Sequence, residues 1–111
     1  MAKLNASMSY KDEQDNKYEF QLYSLDHDFS ESWGGVYVFT KRDKTTSPAT
    51  HALKYIGKTN SFDTRFDTHD KIGTSGINCV GVYQEDSETK RTSIEKSLIK
   101  KNKPPLNTQH T

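Results

Sequence analysis

The chain has 111 residues, 31% of them hydrophobic and 28% charged, with mean hydropathy −0.97 and net charge +1. That leaves room for one small domain, in which 12 aromatic side chains supply much of the core volume. A single cysteine excludes an internal disulfide framework, and no apolar run approaches the roughly 18 residues of a membrane span. With no apolar signal segment at the N-terminus, a cytoplasmic protein without a membrane partner is expected.

Charge is distributed unevenly. Residues 1–33 carry three Lys and seven Asp or Glu, whereas residues 34–111 carry 13 Lys or Arg and eight acids. The body of the chain is therefore mildly basic, which suits a polyanion without requiring one.

Residues 1–17 read as a disordered acidic segment, polar and without periodicity, ahead of a single domain over 18–111. The alternation Tyr18, Glu19, Phe20, Gln21, Leu22 predicts a short strand, although Leu22, Leu25 and Phe29 also fit one helical stripe. A loop over 26–33 ends at Trp33, which is expected to pack on a sheet. Val36 to Phe39 are β-branched or aromatic and predict a strand. Leu53, Tyr55 and Ile56 predict another, ending at Gly57, and the polar stretch 41–50 with Pro48 forms the loop between them. Asn60 or Ser61 is placed to cap a helix running to about Ile72, with Gly73 to end it. After a turn over 73–76, Ile77 to Tyr83 predicts a central strand. Asp86 or Ser87 then caps a second helix lasting to about Lys101, stopped by Pro104 and Pro105. The expected fold class is α+β, a small and mainly antiparallel sheet flanked by helices.

Both helices place polar groups where packing alone would put apolar ones. In the first, Arg65 and His69 fall within the arc defined by Phe62, Phe66 and Ile72. In the second, Glu95 falls between Leu98 and Ile99. One such misfit is ordinary: an arginine can snorkel at a core rim and a histidine can cap a carbonyl. Three from two helices suggest a shared cleft, because an unpaired buried charge is costly. Cys79, within an apolar run, reads as a small core side chain.

Gly35-Val36-Tyr37 followed by Tyr55-Ile56-Gly57 resembles the two signature triplets of the GIY-YIG nuclease superfamily. Arg65 follows the second triplet by eight positions, His69 lies one helical turn later, Glu95 sits on a later helix and Asn107 follows it. The resemblance covers about residues 34–108. Valine replaces isoleucine in the first triplet, and 17 residues separate the triplets, lengthening the connecting loop.

The resemblance implies an endonuclease that hydrolyses phosphodiester bonds in DNA, with RNA left open as substrate. Tyr37 would be the general base, helped by Tyr55, His69 and Lys58. Arg65 would stabilise charge on the phosphoryl oxygens, Glu95 would hold one Mg²⁺ or Mn²⁺ ion, and Asn107 would anchor the segment after the prolines. A free phenol has a pKa of about 10, so Tyr37 would need nearby cationic or hydrogen-bonding help. Lys54, Lys58, Arg91, Lys96, Lys100, Lys101 and Lys103 are the candidate nucleic-acid contacts, although lysines on a helix are often just its solvated face. Specificity would come from substrate structure, a homodimer or a targeting partner. The rival readings are a non-catalytic nucleic-acid-binding module and a protein-interaction or inhibitor domain using the acidic N-terminal segment. Gly57-Lys58-Thr59 lacks the earlier glycine of a phosphate-binding loop, and the histidines lack zinc-site spacing.

Overall fold

A computed structural model describes residues 3–24, 33–43, 50–62 and 76–107. They form strands β1 (Lys3–Lys11), β2 (Lys17–Ser24), β3 (Gly35–Asp43), β4 (Thr50–Thr59) and β5 (Cys79–Gln84), and helix α1 (Glu88–Asn102). The expected α+β class holds, with one five-stranded sheet in the order β1-β2-β5-β3-β4 and every neighbouring pair antiparallel. The last strand in sequence therefore lies in the middle. Its run Cys-Val-Gly-Val is buried on both faces, as an unbroken apolar strand should be. Among the described residues α1 is the one helix. The first predicted helix, capped by Asn60 or Ser61 and running to about Ile72, lies outside them except at its start, where Ser61 and Phe62 are not helical.

The disorder expected over residues 1–17 is corrected for the described residues 3–17. Lys3–Lys11 is a strand paired with β2, joined to it by a short turn. An alternation was present in the sequence, with Leu4, Ala6, Met8 and Tyr10 interleaved with Asn5, Ser7 and Ser9. Its small and weakly apolar members masked it. The turn is held by Asp12, only 3% exposed, whose Oδ1 accepts from the N–H groups of Gln14 (3.0 Å) and Asn16 (2.9 Å). Its Oδ2 accepts from Asn16 Nδ2 at 3.2 Å and the Tyr18 hydroxyl at 3.5 Å. Asp15 takes a left-handed φ of 65°, which aspartate tolerates well.

These bonds set a pH dependence. Burial alone would raise the Asp12 pKa, but the hydrogen bonds from Asn16, Gln14 and Tyr18 together outweigh it and leave the pKa lowered. A carboxyl depressed by folding contributes stability above its unfolded pKa of about 4 and loses it as pH falls through the folded value. Urea midpoints of the wild type should therefore fall more steeply below pH 4 than those of Asp12→Asn. That variant should also be less stable at pH 7, because an amide NH₂ would face two donors. Parallel pH profiles would show that the turn does not bind the carboxylate in solution.

Alternation along the strands makes two apolar layers. On one face Tyr37, Phe39, Phe62, Ile77, Val80 and Val82 cluster, joined by Tyr23, Trp33, Tyr55 and Leu106. On the other, Phe20, Val36, Val38 and Ile56 pack under Ile94, Leu98 and Ile99 of α1. Trp33 thus packs as expected, edge-on to Phe62 at 5.2 Å. Cys79 is fully buried, its thiol donating to the Tyr23 carbonyl. Ser87 caps α1, accepting from Lys90 N–H at 3.3 Å. The helix closes at Lys103, left-handed at φ 48°, before the two prolines. No helix among the described residues is long and apolar enough to cross a membrane.

Candidate active site

Strands β3 and β4 are hydrogen-bonded neighbours, and their register sets Tyr37 directly opposite Gly57. The two triplets therefore meet side by side. A Cβ at Gly57 would lie 2.5 Å from both Cζ and the hydroxyl oxygen of Tyr37, so the phenol occupies the space a side chain would fill. Gly35 is constrained in the same way, because a Cβ there would drive into the Tyr83 carbonyl on β5. Gly57→Ala should cost about 2 kcal/mol through overpacking. In a Tyr37→Leu background most of that cost should vanish, which a double-mutant cycle of urea denaturation would measure. An equal cost in both backgrounds would mean the ring does not rest there.

Tyr37 is 6% exposed and lies beside Phe39 at 5.2 Å and Tyr55 at 6.3 Å between ring centroids. Phe39 and Tyr55 stack at 5.7 Å. The plain packing role that strand tyrosines usually fill is thus also met here.

Asn107 holds the second triplet from the outer side. Its Oδ1 accepts from Ile56 N–H and its Nδ2 donates to Ile56 C=O, both at 2.9 Å. β4 is an edge strand, so these backbone groups have no strand partner on that side. One residue earlier, Leu106 N–H donates to the Lys54 carbonyl at 3.1 Å. Lys54 is the extra residue of a bulge, since Phe39 pairs with Tyr55 but Thr40 pairs with Leu53. The segment after the prolines therefore seals the β4 edge. Asn78 acts similarly toward Arg42, accepting from its N–H at 2.7 Å and donating to its C=O at 3.1 Å.

Glu95 is 9% exposed, within the buried stripe of α1. The residues around it, Ile94, Leu98 and Ile99, pack on the sheet face opposite to the Tyr37 ring. So Tyr37, Tyr55, Gly57 and Asn107 gather about the β3–β4 hairpin, whereas Glu95 is carried by the helix beneath it. Arg65 and His69 lie outside the described residues. No three His, Cys, Asp or Glu side chains among the described residues form a group that could hold a metal. A Mg²⁺ site needs fewer, because the ion keeps several waters and takes one or two carboxylates plus phosphate oxygens. A single buried carboxylate such as that of Glu95 fits that requirement in number.

Among the basic candidates, Lys58, Lys96, Lys100, Lys101 and Lys103 are exposed and Lys54 is half-buried. Arg91 differs from expectation: it is 6% exposed, and its Nη1 donates to the carbonyls of Glu85 (2.9 Å) and Asp86 (3.0 Å). It ties the β5–α1 turn rather than belonging to a solvated face. The signal was available in the sequence, because Arg91 falls on the helical wheel between Leu98 and Glu95. Arg91 also lines a cleft of about 290 Å³ with Lys58, Thr59, Asn60 and Glu88, at the end of β4 just past Gly57.

No family profile, curated protein or solved structure matches the chain.

Proposed function

We propose that this chain is a metal-dependent endonuclease of the GIY-YIG type, hydrolysing phosphodiester bonds in DNA. The observation that carries the reading is the interlock of the two triplets, with the Tyr37 phenol seated over Gly57. Asn107, the last member of the resembling set, supports it by gripping Ile56 at the centre of the second triplet. Two tyrosines, a glycine and an asparagine, spread over more than half the chain, thereby come together in one local structure.

In this reading Tyr37 accepts the proton of the attacking water, with Tyr55 and His69 as the groups to assist its deprotonation, since Lys58 alternates to the face of α1. Arg65 presents a planar fork of donors to the phosphoryl oxygens as charge builds on them. Glu95 would hold the divalent cation, which when bound supplies Lewis-acid stabilisation to the phosphate and the departing oxygen. The reading requires the Glu95 carboxylate and the Tyr37 phenol to reach one phosphate past the edge of β4 at Gly57.

Supercoiled plasmid incubated with the protein should be nicked or linearised in Mg²⁺ and left intact in EDTA. Intact plasmid, duplex, branched and single-stranded substrates under both conditions would sink the proposal. A non-catalytic nucleic-acid-binding module is the second reading, favoured by the burial of Tyr37 within an aromatic cluster. It expects salt-sensitive binding to the same substrates with no cutting.

A further inference from the structure

We propose that the outward face of α1, continuous with the Lys58–Arg91 cleft, is a groove that tracks the phosphates of one nucleic-acid strand. This rests on the nuclease reading, which it extends from the point of cleavage to the path of the flanking strand. Three shallow clefts adjoin along the helix. The first, bounded by Lys58 and Arg91, shares Glu88 with a second of about 560 Å³. The second shares Ser93 and Lys96 with a third of about 440 Å³, which continues to Lys100 and ends at Glu13 and Gln14.

The helix repeat builds this track. Thr89, Ser93, Lys96 and Lys100 follow one another at spacings of three or four, so they form a single stripe. Two hydroxyl donors are followed along it by two ammonium donors, with no apolar side chain between them. Phosphate oxygens take both kinds of donor, and such contacts position a strand without reading its bases. From Arg91 to Lys100 the helix rises about 14 Å, the rise of about four base pairs. Four cations line the clefts against two carboxylates, Glu88 and Glu13. Arg91 cannot swing away, because two carbonyls hold its guanidinium. The far end is closed by the β1–β2 turn, where Ser97 Oγ accepts from Glu13 N–H at 3.1 Å and donates to Gln14 Oε1 at 3.3 Å.

The groove selects among the basic residues, since Lys54, Lys101 and Lys103 line none of these clefts. An acidic protein segment is the competing occupant. Phosphate is favoured because hydroxyls and cations dominate the lining, its one apolar side chain, Ile99, being 4% exposed.

The test is fluorescence anisotropy with a fluorescein-labelled duplex of about 12 base pairs, in EDTA so that nothing is cut, titrated with salt. Arg91 is left unchanged because it ties the fold. In the Lys96→Gln/Lys100→Gln variant the slope of log affinity against log salt should shrink by about 1.8. Equivalently, the wild type should lose about tenfold more affinity than this variant between 50 and 200 mM salt. The control Lys11→Gln/Lys17→Gln, two exposed lysines on the β1–β2 hairpin, should keep the wild-type slope. Glu88→Gln should tighten binding. Equal slopes for all three proteins, or displacement of the duplex by poly-glutamate with the same Lys96 and Lys100 dependence, would overturn the groove. A chain that binds as described but never cuts in Mg²⁺ refutes the nuclease reading alone. One that cuts while its slope ignores Lys96 and Lys100 refutes the groove alone.

Discussion

Glu95→Gln is expected to reduce Mg²⁺-dependent plasmid cleavage by about a thousandfold while leaving the protein folded, with a cooperative urea transition. The two halves of that result have different origins. Glutamine keeps the shape of glutamate, so the packing of Ile94, Leu98 and Ile99 around position 95 survives. It removes the charge of a side chain that is 9% exposed but keeps an amide oxygen in the same place, so a donor to the carboxylate still finds an acceptor. Cleavage, by contrast, would lose the anionic ligand for the cation, and losing one such electrostatic element commonly costs two to three orders of magnitude, about 3–4 kcal/mol in the transition state. Arg65→Ala should give a comparable loss. A Glu95→Gln protein that unfolds more easily yet cuts DNA at the wild-type rate would make Glu95 a structural residue and remove the catalytic role proposed for it.

Asn107→Ala is expected to have the largest effect on stability, about 3 kcal/mol in urea denaturation. Two hydrogen bonds of 2.9 Å are lost together, and the Ile56 N–H and C=O they satisfy are left without partners at a buried position. Each buried backbone group left unsatisfied costs about 1–3 kcal/mol. Some of that returns if water reaches the exposed β4 edge, which sets the middle of the range as the expectation. In a domain of this size the loss corresponds to a melting point lower by about 12–20 °C. Asn107→Asp should be nearly as harmful, because it keeps the acceptor for Ile56 N–H but sets a carboxylate oxygen against the Ile56 carbonyl. A loss under about 1 kcal/mol would show that the segment after the prolines does not grip β4.

How much of this was legible in the sequence depends on the range of the forces involved. Strands β3, β4 and β5 and helix α1 were readable because local pattern and local punctuation agree in them. Val36 to Phe39 are strand formers, Ser87 offers its hydroxyl to the first turn of α1, and Pro104 with Pro105 prevents its continuation. β1 was missed because its alternation rests on Ala6 and Met8 rather than on strong strand formers. A strand so weakly marked is stabilised by pairing with β2, a contact between chain segments that hydropathy does not record. The same holds for Asp12 and Arg91. Both look like surface charges by residue type, Arg91 despite its place on the inward arc of α1, and both are buried because backbone groups from a turn converge on them.

By itself, the sequence determined the α+β class, the existence of β2 to β5 and α1 and the resemblance of the two triplets to a nuclease signature, since each depends on neighbours within a few positions. Tertiary structure alone decided that β5 pairs with β2 and β3, that Tyr37 covers Gly57 and that Asn107 closes the β4 edge. Those outcomes turn on strand order and register, which are chosen by burial summed over the whole chain rather than by any single stretch of it.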